Sequence, residues 1–208
     1  MVTLVMNTLM MNKLLRYLIT MIVVPAVIAS GILLFGEKRY AFVSFAVAVL
    51  AVIAFFMAFE KKKSVDTKKT VILSVMITLS VLGRFVFAFI PFFKPVTAIV
   101  VILAIYFGPE MGFLCGSMSA LLSNFYFGQG PWTPFQMFAW GMIGFLAGLS
   151  GEKLIGGKLW LALYGVFAGI FYSVSMDIWV VLWMEGDFVM SRYLAVVLTS
   201  LPDRKSTR

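Results

Sequence analysis

Four uncharged polar side chains lie close together in the sequence, around a segment rich in proline and glycine. Gln129 and Thr133 lie within residues 128–134, and Asn124 and Gln136 flank that segment. Amides and hydroxyls donate and accept hydrogen bonds, so such a group can recognise the polar edge of a small molecule. The alternative is that these groups satisfy only one another and interfacial water. The spacing predicts a candidate binding site for a small polar ligand.

Charged and aromatic residues add to this group. Arg84 and Asp177 lie inside apolar stretches, and because a charge in lipid costs about 3 kcal/mol or more, each is a functional candidate. Their equal distance from the predicted outer helix ends allows an ion pair, and a purely structural salt bridge is the alternative. Phe125, Trp132 and Trp140 could stack on a flat ring, although aromatic residues also form interfacial belts in membrane proteins.

The remaining composition excludes other chemistry. The sequence has no histidine and one cysteine, so it lacks the commonest general base and metal ligand. We therefore expect no enzymatic activity, no metal and no cofactor. The net charge is +8, and the basic residues that produce it lie mainly in short segments between apolar runs. The positive-inside rule explains this distribution better than nucleic-acid binding does.

Membrane helices must position these residues. The chain is 62% hydrophobic and 12% charged, with a mean hydropathy of +1.02, which is typical of an integral membrane protein in a lipid bilayer. The lysine-rich segment 60–69 and most other basic residues fall on one side of the predicted spans, which favours a multi-pass cell-membrane protein with a cytoplasmic N-terminus. The apolar runs predict helices over residues 14–35, 40–59, 70–92, 96–107 and 159–184, two more within 108–151, and a short one from 191 to 201. The first run continues past a site that resembles a signal-peptidase site near Ala29, which favours a retained helix.

Small residues recur at every fourth position in the segment 108–151. Such spacing lets helix backbones touch in lipid. It predicts a tightly packed hairpin whose loop carries the polar group at the outer face. The stripes consist of Gly112, Gly116, Ala120 and Asn124 on one helix and of Trp140, Gly144 and Gly148 on the other.

These features resemble a known family, the substrate-binding S components of energy-coupling-factor (ECF) vitamin importers. Residues 80–151 resemble the family's first four helices, SRYLAVVLTSLP at 191–202 resembles the start of its sixth, and the similarity covers about 70–202. The resemblance implies an all-α integral membrane protein, with a six-helix bundle over 70–202 whose last helix is truncated. Two extra N-terminal transmembrane helices would occupy residues 1–60. Residues 203–208 would be a tail that results from truncation of the chain or comes from a foreign sequence.

The resemblance also implies a function. Such a subunit captures a vitamin or vitamin precursor at the outer face, under loops at 91–95, 127–133 and 185–190. It delivers the ligand with a transmembrane coupling subunit and two ATPase subunits. Ser74 and Thr78 occupy the place where the family often has alanines that contact the coupling subunit. The loop Gly-Pro-Trp-Thr-Pro at 130–134 resembles a subgroup linked to cobalamin, so a cobalamin-related substrate is expected. The implied substrate contacts are Arg84, Asn124, Phe125, Gln129, Trp132, Thr133, Gln136, Trp140 and Asp177.

Two alternatives remain open at this point. A self-sufficient secondary transporter could use Arg84 and Asp177 as a proton relay. It would transport its substrate with a proton gradient and no ATPase partner. A membrane scaffold without any ligand is the other alternative, and no small molecule would raise its thermal stability.

Overall fold

The computed structural model describes residues 14–15, 17–35, 46, 50, 67–90, 95–130, 132–185 and 189–200. In this part of the chain all regular structure is helical, as predicted. A π-helical turn, Ile19–Val23, precedes the first α-helix. The α-helices are α1 (Val24–Phe35), α2 (Thr67–Val86), α3 (Val96–Phe107), α4 (Pro109–Phe127), α5 (Thr133–Leu149), α6 (Gly151–Ile155), α7 (Lys158–Glu185) and α8 (Met190–Ser200). The predicted span 40–59 lies outside the described residues, apart from residues 46 and 50.

The hairpin of α4 and α5 is the centre of the bundle. Helix α3 packs against both members of the hairpin, α2 packs against α3 and α4, α7 packs against α5, and α8 packs against α7. The largest fully buried side chains come mainly from this centre, among them Phe113, Trp140 and Phe145. Every polar group predicted on α4 and α5 is therefore held by the most closely packed part of the described structure.

Glycine allows the close approach of α4 and α5. A Cβ atom on Gly112 would overlap the backbone of Gly144, and one on Gly116 would overlap the carbonyl group of Trp140. At the other end of the hairpin, a Cβ atom on Gly148 would overlap Pro109. These contacts confirm the prediction that small residues at four-residue spacing bring two helix backbones together.

Helix α2 ends earlier than the predicted boundary at residue 92. It stops at Val86, and a turn follows in which Ala88 N donates to Phe85 O and Ile90 N donates to Phe87 O, both at 3.1 Å. Pro91 disfavours the α conformation at Ile90, so the helix could not have continued to the predicted boundary at residue 92. Arg84 thus lies in the last turn of α2, whereas Asp177 lies about two turns before the end of α7. Measured from the helix ends, the predicted equal depth of these two charges is wrong.

Within the described ranges, two helices are long and apolar enough to cross a membrane, by length and composition: Thr67–Val86 and Lys158–Val181. Helix α3 has 12 residues, as predicted, and rises about 18 Å, which is less than a hydrocarbon core of about 30 Å. Large apolar side chains are exposed along the outer surface of α2 and α7, including Val75, Leu82 and Val166. Such a surface suits contact with lipid tails.

The N-terminal helix packs against the hairpin. Val24 is fully buried, and the ring of Tyr17 contacts the ring of Phe145 on α5 edge-on, with centroids 5.2 Å apart. The π-helical turn lies directly before Pro25. Proline has no N–H to offer to the preceding turn, and a local π-bulge accommodates such a break in the hydrogen-bond ladder. The helix continues through Phe35, as predicted for the first span.

Candidate functional site

Arg84 joins α2 to α4. Its side chain extends from the last turn of α2 and is 9% exposed. The Nη1 atom donates hydrogen bonds to the Ser123 hydroxyl and to Asn124 Oδ1, the latter at 2.9 Å. Hydrogen bonds from a charged donor are about twice as strong as neutral ones. A buried guanidinium therefore holds the ends of two helices together.

Asn124 carries the connection on to α5. Its side chain is fully buried, and its Nδ2 atom donates to Thr133 Oγ1 at 3.0 Å and to Gln136 Oε1 at 2.8 Å. Both N–H groups and the oxygen of this amide are thus used. Three helices meet at one asparagine, which orients the polar groups of the other two.

The loop between α4 and α5 is tied into the same network. Thr133 Oγ1 donates to Gln129 Oε1 at 2.9 Å and accepts a bond from Gly130 N at 3.3 Å. Gln129 Nε2 donates to the Leu121 carbonyl at 2.9 Å. Gly128 closes α4 with φ +99°, a conformation that glycine adopts without a steric penalty. The loop is therefore fixed by side-chain hydrogen bonds at both ends.

Trp140 lies beneath Arg84 as an aromatic platform. The guanidinium carbon is 5.2 Å from the centre of the Trp140 ring and 4.6 Å from that of Phe127, distances at which a cation is attracted to a ring face. Trp140 is 1% exposed and stacks on Tyr172 of α7, with centroids 5.1 Å apart and planes at 25°. In this arrangement Trp140 supports Arg84 from below.

A second aromatic group joins the loop to α7. The ring of Trp132 contacts Trp179 edge-on at a centroid distance of 6.0 Å, and Phe135 lies 6.3 Å from the same ring. We call Trp132, Phe135 and Trp179 the outer aromatic cluster. Its contacts hold the α4–α5 loop against the end of α7. The other two predicted loops, 91–95 and 185–190, fall largely outside the described residues.

The predicted site residues separate into four groups. Asp177 is buried on α7, where it is within electrostatic range of Tyr193 on α8. Phe125 is 73% exposed on the outer surface of α4, so the structure places it away from the network. Trp132 belongs to the outer aromatic cluster. The residues brought together in one network are Arg84, Asn124, Gln129, Thr133, Gln136 and Trp140.

Two members of this site were not predicted. Ser123 accepts the hydrogen bond of Arg84, and its four-residue spacing from Ser119 on a helix with several buried serines was a usable signal. Tyr172 supports Trp140 from α7. Both residues were missed because helical spacing indicates a face more readily than an individual contact.

An apolar helical bundle with buried guanidinium, amide and hydroxyl groups gathered at one end defines a membrane protein with a candidate ligand site near one face. Comparison with known families gives a more specific assignment. The sequence profile of the family described as "ECF-type riboflavin transporter, S component" matches residues 64–204. Because this match covers more than half of the 208 residues, the chain belongs to that family, and the predicted resemblance is confirmed.

This family sets the general role of the chain. S components are substrate-binding membrane subunits for vitamin uptake, not enzymes, and they work with a membrane T component and ATPases. Searches of curated proteins and of solved structures gave no match.

Proposed function

We propose that this chain captures riboflavin, or a closely related flavin, at the network centred on Arg84. The observation that carries the proposal is the convergence of Arg84, Asn124 and Gln136 from three helices on one buried point. The family description names riboflavin. We therefore favour a flavin over the cobalamin-related substrate that the loop sequence suggested.

The chemistry of the network suits a flavin ring. One edge of that ring carries two carbonyl groups on either side of an N–H group, and it can both accept and donate hydrogen bonds. Guanidinium and amide donors of Arg84 and Asn124 complement the carbonyls, and an amide oxygen such as that of Gln136 complements the N–H. The outer aromatic cluster supplies rings that can pack against a flat ligand. Binding would exchange hydrogen bonds within the network for bonds to the ligand.

The proposed orientation places this network at the extracellular face. The positive-inside rule supports it, because the lysine-rich segment 60–69 precedes α2 and the network lies at the opposite end of that helix. The same proposal keeps residues 70–202 as the binding domain, 1–60 as two additional helices and 203–208 as a tail. The N-terminus is then cytoplasmic.

Binding is best tested by fluorescence titration of the purified full-length protein with riboflavin, with cobalamin as the comparison ligand. We expect saturable binding of one riboflavin per chain. Trp132→Ala should weaken this binding about tenfold, or about 1.4 kcal/mol, because the outer aromatic cluster loses its loop member. Phe125→Ala is the matched control, since Phe125 faces outward, and its affinity should stay within about twofold of wild type.

Results of this titration and of two further assays would identify the alternatives. Binding of cobalamin instead of riboflavin would contradict the flavin proposal. Uptake into proteoliposomes driven by a proton gradient alone would identify a secondary transporter. A protein that no small molecule stabilises against heat would be a scaffold.

We further propose that α2 carries the contact for the transmembrane coupling subunit, which acts with two ATPase subunits. Ser74 and Thr78 are exposed, and their hydroxyls donate to the carbonyls of Thr70 and Ser74 at 3.0 and 2.8 Å. These hydroxyls are thus satisfied within their own helix. The resulting surface is small and smooth, which favours close packing of another membrane helix.

Adding bulk to this surface should separate binding from transport. In the double variant Ser74→Leu/Thr78→Leu, riboflavin binding should stay within about twofold, while ATP-dependent uptake with the coupling subunit and ATPases should fall at least about tenfold. Ala162→Leu adds the same kind of bulk to the exposed surface of α7 and should leave uptake unchanged. Normal uptake by the double variant would show that the contact lies elsewhere.

A further inference from the structure

Two buried hydroxyls lie beneath Arg84 without a hydrogen-bonding partner. Among the described residues, the buried side-chain oxygen and nitrogen atoms that lack a partner are Ser80 Oγ and Ser119 Oγ. Both serines are 0% exposed. On its own helix, Ser119 interacts weakly with the Cys115 thiol. A thiol is a poor hydrogen-bonding group, so the Ser119 hydroxyl can still take a stronger partner. Buried polar groups are normally paired, so two orphans in one region indicate a missing partner.

Helical spacing places the two hydroxyls on the faces of α2 and α4 that the Arg84 contact joins. Ser80 is four residues before Arg84 on α2, and Ser119 is four residues before Ser123 on α4, so each lies on the same face as its successor. Arg84 and Ser123 are hydrogen-bonded to each other in the last turns of their helices, so the two helices run in the same direction. Both hydroxyls therefore lie about 6 Å further into the bundle than the Arg84 contact.

The chemistry of the two unpaired hydroxyls indicates what kind of ligand could bind them. Each can donate one hydrogen bond and accept others, and so can an alcohol. Serine is the smallest hydroxyl side chain, so two serines leave more room for a slender ligand chain than larger polar side chains would. Riboflavin, the ligand in the family description, joins a flat ring to a short polyhydroxylated chain, whose length is comparable to one helical turn.

We infer that Ser80 and Ser119 form the inner end of the substrate site and bind the polyhydroxylated chain of the ligand, while the ring edge lies at Arg84. This inference rests on the proposed function, because it assigns parts of the same ligand to two levels of one site. Under this assignment, the two serines affect affinity for the hydroxylated chain of the ligand and do not affect affinity for its ring. A trapped water would also pair with both hydroxyls, but it would give no such selectivity.

The test compares riboflavin with lumiflavin, which has the same ring and a methyl group in place of the hydroxylated chain. In the full-length double variant Ser80→Ala/Ser119→Ala, we expect riboflavin affinity to fall at least about tenfold and lumiflavin affinity to stay within about twofold. Ser117→Ala is the matched control, because Ser117 is also buried on α4 but donates to the Met137 carbonyl of α5 at 3.0 Å. It should not discriminate between the two ligands.

The possible results separate the two proposals. Equal losses for both ligands, or no loss for either, would overturn the chain-binding inference while leaving flavin capture intact. A double variant that is more stable to heat and binds riboflavin normally would show that the hydroxyls held only water, which also overturns it. A wild-type protein that binds neither ligand would overturn both this inference and the proposed function.

Discussion

Replacing Arg84 with methionine is expected to reduce riboflavin affinity about 100-fold, or roughly 2.7 kcal/mol, in a fluorescence titration of the purified protein. Methionine keeps the length and apolar stem of the side chain and removes every donor. The loss is large because a hydrogen bond from a charged group contributes about 1.5–3 kcal/mol when its alternative is an unpaired buried acceptor.

The same substitution should affect stability in the opposite direction. The described hydrogen bonds of Arg84 go to the neutral partners Ser123 and Asn124, so the folded protein bears the cost of keeping a cation away from water. Replacing a buried charge by an apolar group of similar size is often neutral or stabilising. We therefore expect the ligand-free Arg84→Met variant to unfold at the same temperature as wild type, or higher.

Two further variants make this prediction specific. Arg84→Lys keeps the charge but loses the planar set of donors, so its affinity should lie between those of wild type and Arg84→Met. Arg192→Met removes an exposed arginine on α8 and should change affinity by less than about twofold. Wild-type affinity in Arg84→Met would remove Arg84 from the ligand site, and a large loss of thermal stability would show that its main role is structural.

Gly116→Ala is expected to be among the most destabilising single-methyl additions in the hairpin. The new Cβ atom would overlap the carbonyl and the following nitrogen of the Trp140–Gly141 peptide, and backbone cannot move aside as a flexible side chain can. Overpacking typically costs about 1–3 kcal/mol, and we place this case at the upper end. For a domain of this size that corresponds to a midpoint lowered by roughly 6–12 °C.

Gly165→Ala is the matched control for this effect. A Cβ atom at Gly165 on α7 meets nothing within 4 Å, and alanine has the higher helix propensity. The two variants should therefore shift the unfolding midpoint in opposite directions, or Gly165→Ala should leave it unchanged. Equal tolerance of alanine at both positions would mean that α4 and α5 are further apart than the structure shows. The affinity for riboflavin should also fall in Gly116→Ala, because the packing of the hairpin positions Asn124 and Gln136.

Much of the helical framework was predictable from local sequence. The first span, α3, the hairpin and α7 were predicted with boundaries close to those observed, because long apolar runs and their proline and glycine breaks depend on neighbours in sequence. The end of α2 was predicted six residues too late, since apolar residues 87–90 continue the hydrophobic pattern although they form a turn. The span 40–59 lies outside the described residues and stays a prediction.

The residues of the polar network were predictable in part, but their arrangement was not. Arg84, Asn124 and Gln136 were identified because polar side chains are costly in an apolar helix. The identity of their partners depends on how α2, α4 and α5 are rotated about their axes, which no local pattern reports. The same rotation buries Trp140 against Tyr172 and turns Phe125 outward.

The sequence alone thus determined an all-helical membrane chain, the glycine contacts that pair α4 with α5, and the region in which polar groups collect. These properties follow from periodicity and from the cost of polar atoms in lipid. Only the tertiary structure decided that Arg84 bonds to Ser123 and Asn124, and that the hydroxyls of Ser80 and Ser119 are buried without a hydrogen-bonding partner. Such contacts depend on distances between side chains of separate helices, and those distances are set by how the helices pack together.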